Sequence, residues 1–359
     1  MNFMKMDLRL VTLALLMTAC ASETSDKEDA SVDESTELQP ISEPLVSDIF
    51  TADPSAHVFD GKIYVYPSHD IDAGIPNDDL GTQYAMRDYR VLSMDEVGGP
   101  VTDHGVALDI EDVPWAGRQM WAPDAAKKDG KYYLYFPVKD KEDIFHIGVA
   151  ESDSPTGPFT AEPTPIEGTI SMDPAVFEDT DGSYYLYYGG IWGGQLQYYK
   201  NGKFEKSEEQ PAADEPALLP KMAKLGADMK TLAEEPRDIK ILNADGELFK
   251  SGETDERFFE AAWVHKYNDK YYLSYSTGDT HKIVYATGDN PYGPFTYQGV
   301  VLNPVQGWTN HHSIVEFKGK WYLFYHDTQI SGQNHLRNVK VTELHYNEDG
   351  SIKTIDPYK

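Results

Sequence analysis

The chain has 359 residues, 60 of them acidic and 31 basic, for a formal net charge of −29. That balance argues against nucleic acid as a partner, because phosphate contacts need clusters of Lys and Arg that do not stand out here, and it disfavours anionic membrane surfaces and strongly anionic substrates. With 40% hydrophobic residues and 24 tyrosines, the chain can still bury a sizeable core, and β-architectures of this length often form one domain.

Residues 1–19 carry Lys5 and Arg9, an apolar run from Leu10 to Met17, and then Thr18-Ala19 before Cys20. A basic start, an apolar segment too short to span a bilayer and small residues at the end describe an export signal. Cys20 is the sole cysteine, so no disulfide forms within the chain. A cysteine directly after Thr-Ala resembles the lipobox of bacterial lipoproteins, which implies cleavage before Cys20 and a lipid on its new N-terminus. Asp7 and Met17 depart from that pattern, and an ordinary secretory signal with an incidental cysteine is the alternative. The expected location is the bacterial cell envelope, at the outer membrane, the cell surface or in the periplasm. Residues 21–47 hold eight acids, one lysine and no glycine or aromatic residue. Such a stretch cannot bury enough apolar surface to offset its ordering entropy. Residues 20–47 are therefore expected to be a disordered tether, and 48–359 the domain.

The domain repeats one pattern five times. Asp60-Gly-Lys-Ile-Tyr-Val-Tyr66 returns as Asp129-Gly-Lys-Tyr-Tyr-Leu-Tyr135 and as Asp181-Gly-Ser-Tyr-Tyr-Leu-Tyr187. It returns again as Asn268-Asp-Lys-Tyr-Tyr-Leu-Ser274 and Lys318-Gly-Lys-Trp-Tyr-Leu-Phe324. Each copy reads as a two-residue turn followed by an alternating, aromatic-rich strand, with a short apolar strand before it. Five hairpins of this kind predict an all-β, five-bladed β-propeller. A β-helix would need shorter and more regular repeats, and a β-sandwich would not repeat one hairpin five times. Ser154-Pro-Thr-Gly-Pro-Phe159 and Asn290-Pro-Tyr-Gly-Pro-Phe295 read as turns into outer strands. The longest gap, residues 201–257, is polar, with a possible short helix or extra strands near Leu218–Ala233, and could cover a pocket or a subunit contact.

The first strand of a propeller blade lines the central channel, so residues at the starts of these strands converge at one mouth. Asp53, Asp173, Glu260 and His311 stand ten or eleven residues before the following aromatic strand, and Asp124 stands eight before it. An Asp before Pro is often only a turn residue. Carboxylates crowded at one aromatic-rimmed mouth, however, repel one another and lose solvation, which separates their pKa values. Three such groups suggest glycoside hydrolysis, in which one carboxylate activates water and a protonated partner serves the leaving oxygen.

These residues resemble glycoside hydrolase family 43, five-bladed propellers active on arabinose- and xylose-containing polysaccharides. The matching pieces are ADPSAHVFDGKIYVY, MWAPDAAKKDGKYYLYF, SMDPAVFEDTDGSYYLYY, FFEAAWVHKYNDKYYLSYSTG and TNHHSIVEFKGKWYLFYHD. The resemblance implies Asp53 as general base, Glu260 as general acid and Asp173 as the group that raises the pKa of Glu260 and orients it. It implies no organic cofactor. It does imply a Ca²⁺ or another ion with water in the channel near His311 or His312; the alternative is that these histidines only hydrogen-bond channel water. Zinc is not expected, since no HExxH or CxxC spacing occurs. Asp179-Thr-Asp-Gly182 is too short for a calcium loop and reads as the third hairpin turn. Arg337 resembles the family's sugar-contacting or carboxylate-orienting arginine, with a surface arginine as the alternative. Trp121, Trp192 and Phe259 could stack on a sugar, although aromatics in this chain are more often blade core. His69-Asp70 and Asp124 could rim the pocket.

The reading that follows is an inverting exo-glycosidase acting on terminal β-D-xylosides or α-L-arabinofuranosides of plant- or algal-type saccharides. An oligo- or polysaccharide is the expected partner, and the membrane enters only through the N-terminal lipid. A galactosidase or endo-arabinanase of the same family and a non-catalytic carbohydrate-binding propeller are the alternatives. Sucrose- and fructan-cleaving propellers typically have Asn where Ala52 stands, and the repeated turns of sialidases are not found.

Overall fold

The computed structural model describes residues 39–200, 203–206 and 210–359. The signal segment, Cys20 and the tether up to residue 38, which carry the expectations of export and lipid anchoring, lie outside the described residues.

The turns set the architecture. Asp60-Gly61, Asp129-Gly130, Asn268-Asp269 and Lys318-Gly319 each join two antiparallel strands through two residues, all at positive φ. This mirror-image turn matches the twist of the paired strands, and Gly, Asn and Asp reach it most easily. The third turn differs from expectation. Glu178 pairs with Tyr184 and the Asp179 N–H donates to the Ser183 carbonyl at 2.8 Å, so the loop is Thr180–Gly182 with Gly182 at φ 78°.

Each turn links an inner strand to an aromatic second strand. The inner strands are Phe50–Phe59, Asp124–Lys128, Ala175–Glu178, Glu260–Tyr267 and His312–Phe317. Each contacts the inner strands of both neighbouring blades, which closes a ring of five blades around a channel. The tyrosines fill the space between blades. Tyr66, Tyr135, Tyr187, Tyr275 and Tyr325, one from each second strand, are fully buried. Four of their hydroxyls donate to a carbonyl on another segment (Pro155, Met229, Pro291 and Glu256), and Tyr325 pairs with the Ser42 hydroxyl at 2.9 Å. A buried ring thereby adds apolar area without orphaning its polar end.

Among its described residues, the long segment 201–257 forms extra strands and no helix. Lys221–Lys224 and Arg237–Asp238 are the outer strands of blade 3, and Ile241–Leu242 joins the outer edge of blade 4 in parallel with Phe295–Leu302. The two Gly-Pro fragments lead into the outer strands Thr160–Ala161 and Phe295–Leu302, as expected.

Residues 39–47, which composition assigns to the tether, run along the outer edge of blade 5. The Leu45 N–H donates to the Val339 carbonyl at 2.8 Å, Pro44 bridges Lys340, and Pro40 bridges Tyr358. Leu45 and Val46 pack on the cluster of Ile63, Leu92, Phe324 and Val339 that joins blades 1 and 5. Both chain ends of the domain thus meet on the last blade. Beneath them Lys340 donates to Asp327 at 2.7 Å, and Tyr358 donates to the same carboxylate oxygen at 3.2 Å. Both partners of the ion pair are buried. Lys340→Met leaves the Asp327 charge buried without its cation, and the expected loss is roughly 3–5 kcal/mol of unfolding free energy. Chemical denaturation of the two proteins measures it, and an unchanged midpoint would refute the assignment.

Candidate active site

One backbone irregularity recurs at the channel mouth. In blade 1 an extra residue lies between the pairs Ala52–Ser68 and Ser55–Tyr66, and blade 4 has the same bulge between Glu260–Ser276 and Trp263–Ser274. Asp53, Asp173 and Ala261 have φ of 49°, 54° and 61°, the left-handed region that residues with a Cβ seldom occupy. A bulge breaks the strand's in–out alternation and re-aims side chains. Strain of this kind costs about 1–3 kcal/mol per residue and persists only where the surroundings impose it. Its result is that Asp53, Asp173 and Glu260, from three blades, line one cavity that opens to solvent.

The three carboxyls are in different electrostatic states. Burial alone would raise Asp53, but the Arg337 guanidinium overrides it and holds the group at about 2. Asp53 Oδ1 accepts from Arg337 Nη1 at 2.8 Å, and Oδ2 accepts from Arg337 Nη2 at 3.1 Å and the Ser68 hydroxyl at 2.7 Å. The Asp53 backbone N–H donates to His326 Nδ1 at 3.0 Å, which puts the proton of that imidazole on Nε2, facing Thr309. Burial first, and the Asp53 charge second, push Glu260 up to about 8. Asp173 is also raised, by burial, by Glu260 and by Asp53, and its Oδ2 accepts the Ala261 N–H at 2.9 Å. The expectation was that an ionised Asp173 keeps Glu260 protonated; burial and the charge of Asp53 are what raise Glu260. The fixed charge is on Asp53, and Asp173 and Glu260 titrate as a pair that keeps a proton at neutral pH.

Arg337 decides between its two expected roles. Its Nε and Nη2 donate to Asp70, each at 2.8 Å, both terminal nitrogens donate to Asp53, and Nη1 also reaches the Thr309 hydroxyl at 3.1 Å. All five guanidinium N–H groups are engaged by protein oxygens, so Arg337 orients carboxylates and has no donor left for a sugar. The Tyr84 ring covers its face at 4.9 Å.

Of the other expected residues, Trp121, Trp192, Phe259 and His311 line the cavity with the carboxyls. Asp124, His69 and His312 do not. Asp124 sits deeper in the channel, accepting from the Ser55 hydroxyl and the Val176 N–H and contacting His57 at 2.6 Å, so it ties blades 1, 2 and 3 together. His69 lies 2.8 Å from Asp88, and its neighbour Asp70 is the one that reaches the site. His312 faces Ser274 at 2.6 Å, because successive residues of a strand point to opposite sides. Asp70 was expected at the rim together with His69, whereas Tyr84, Trp308, Thr309 and His326 were missed. His69-Asp70 and His326-Asp327 end the second strands of blades 1 and 5, a repeat that could have flagged His326 as well. Tyr84 and Trp308 stand on irregular connections with no periodic signal.

The histidines bear on the expected ion. Burial lowers His311 to about 4, which leaves it neutral, with Nδ1 3.7 Å from Asp173 and 4.0 Å from Asp53. Among the described residues no three His, Cys, Asp or Glu side chains come together as a metal site. Calcium takes roughly six to eight oxygen ligands. One imidazole beside carboxylates already engaged by Arg337, Ser68 and Ala261 does not fit a calcium caged by protein oxygens, and no step below passes through one.

Comparison with known proteins agrees with this geometry. The profile of glycosyl hydrolases family 43 matches residues 44–352. A xylosidase/arabinosidase of Bacteroides ovatus is 59% identical over 314 residues, covering 87% of this chain and 97% of that protein. The structure of a β-xylosidase/α-arabinofuranosidase from a compost microbial metagenome, solved with xylotriose in a calcium-free form, superposes with a TM-score of 0.88 at 64% identity, over 90% of this chain and 100% of that one. A Xanthomonas citri enzyme complexed with xylotriose superposes with a TM-score of 0.86 at 55% identity, over 89% and 95% of the two chains.

Proposed function

The chain belongs to glycosyl hydrolases family 43, and from that premise we propose that it is an inverting exo-glycosidase removing terminal β-D-xylosyl or α-L-arabinofuranosyl residues from oligo- and polysaccharides. The observation that carries this reading is geometric: Asp53, gripped by Arg337 and Ser68, lines one cavity with Glu260 and Asp173, the pair that keeps a proton at neutral pH. Asp53 takes a proton from water as the water oxygen bonds to the anomeric carbon. Glu260 gives its proton to the glycosidic oxygen as that bond breaks. Asp173 holds the Ala261 N–H and with it the peptide that carries Glu260. Solvent then returns a proton to Glu260 and removes one from Asp53. At about 2 Asp53 is a weak base, but its charge also stabilises the oxocarbenium-like transition state, in which the attacking water becomes acidic.

Proton NMR of the sugar first released from 4-nitrophenyl β-D-xylopyranoside and α-L-arabinofuranoside tests the reading. The expected product has the inverted anomeric configuration, and initial retention would exclude water activation by Asp53. The Thr18-Ala19-Cys20 motif supports a companion reading, that the enzyme works at the cell envelope on a lipid anchor. Mass spectrometry of the mature N-terminus would find a diacylglyceryl Cys20, and an unmodified N-terminus would refute it.

A further inference from the structure

We propose that His326 is a positioning residue for the general base, holding the strained peptide of Asp53 so that its carboxylate faces the attacking water. This deepens the glycosidase reading and rests on it. The two bulges of the channel mouth match residue for residue. Asp53 in blade 1 and Ala261 in blade 4 each follow the last regular pair before the bulge, Ala52–Ser68 and Glu260–Ser276, and both are left-handed, at φ 49° and 61°. In each bulge a buried side chain from the preceding blade of the ring captures the peptide N–H of the left-handed residue. Asp173 Oδ2 accepts that of Ala261 at 2.9 Å, and His326 Nδ1 accepts that of Asp53 at 3.0 Å. Blade 4 carries its catalytic carboxyl one residue before the strained position, whereas blade 1 carries it on the strained position itself. The Asp53 side chain therefore leaves a backbone conformation that persists only under constraint from its surroundings, and His326 supplies that constraint.

The rest of the imidazole is committed to the same assembly. His326 stands near the end of the second strand of blade 5 with its side chain fully buried. Its Nε2 donates to Thr309, lying 3.0 Å from both the carbonyl and the hydroxyl oxygen. That hydroxyl accepts from Arg337 Nη1 at 3.1 Å, and the same nitrogen donates to Asp53 Oδ1 at 2.8 Å. His326 thus ties the backbone of the base to Thr309 and, through it, to the arginine that grips the carboxylate.

A peptide N–H can only donate, so Nδ1 must stay without a proton. Burial and the Arg337 charge lower the imidazole to about 3, which keeps that lone pair in place at neutral pH. Nδ1 also stands 3.5 Å from Asp53 Oδ1, farther than from the peptide nitrogen, and without a proton it has nothing to donate there. His326 therefore acts on the backbone of Asp53, while Arg337 and Ser68 hold its charge.

Two amides divide the roles of the ring. His326→Asn keeps an acceptor where Nδ1 stands. His326→Gln keeps a donor where Nε2 stands and leaves the Asp53 N–H without a partner. A misplacement of about 1 Å in a reacting group can cost a hundredfold in rate. In His326→Gln kcat should fall by about a hundredfold, alike on an aryl xyloside and on xylobiose, with KM held within about threefold. His326→Asn should recover at least about tenfold of that loss although it gives up Thr309, an order that packing alone would not impose. Melting curves confirm that both variants are folded at the assay temperature. If the glutamine variant does not fold, His326→Leu, equally without an acceptor, is compared with the asparagine variant instead. In the wild-type protein, nitrogen NMR of the histidine rings should place the His326 proton on Nε2 at neutral pH. Equal kcat in the two variants, no loss in the variant that lacks the acceptor, or a proton on Nδ1 overturns the proposal. Wild-type protein that cleaves neither substrate would instead overturn the glycosidase reading beneath it.

Discussion

Asp53→Asn lowers kcat/KM on every glycoside by about a thousandfold or more, the upper range for removing a positioned general base. The substitution keeps the shape of the side chain and removes its charge. Arg337 retains Asp70 on its Nε–Nη2 edge, so the guanidinium is not left buried without a partner. The backbone N–H to His326 is unaffected by the change of side chain. The loss should therefore appear in catalysis with little change in thermal unfolding. It should be equal for substrates with good and poor leaving groups, because water activation is needed for both. Initial rates on an aryl xyloside and on xylobiose, read beside a melting curve, test this. Activity within tenfold of wild type on either substrate would remove Asp53 as the base.

Glu260→Ala separates the same two substrates. Xylobiose needs a proton on a poor leaving oxygen, and its turnover should fall by roughly a thousandfold. A 4-nitrophenolate departs with little protonation, so the aryl glycoside should lose about a hundredfold less. The pH profile carries the sign. Glu260 acts while protonated, and burial with the Asp53 charge raises it to about 8, so wild-type activity persists through neutrality and falls as pH rises through that value. Asp53 must be ionised, and at about 2 it remains so over the whole working range. In Glu260→Ala the alkaline limb on the aryl substrate should disappear. Equal loss on both substrates, or an alkaline limb that survives the substitution, would show that another group supplies the proton.

Placement of the site followed from local rules, whereas its chemistry depends on contacts made far apart in the chain. Arg337 lies 284 residues from Asp53, and no spacing could reveal that its five donors are all taken. Asp124 shows the opposite error. It stands two residues closer to its turn than Asp53 does, and that difference puts it in the channel wall instead of the cavity.

The propeller, its five hairpins and the convergence of Asp53, Asp173 and Glu260 were legible from the residues alone. Turn chemistry and the two-residue period of a strand act over a few neighbours and repeat, so they can be read one segment at a time. Closure of the ring was needed to learn that 39–47 completes the last blade, that Asp70 and not His69 serves Arg337, and that Tyr84 and Trp308 wall the cavity. The same closure leaves Asp53 ionised and lets Asp173 and Glu260 share a proton. Those outcomes depend on burial and on charges brought within a few ångströms by ring closure, and neither quantity exists until the blades have packed.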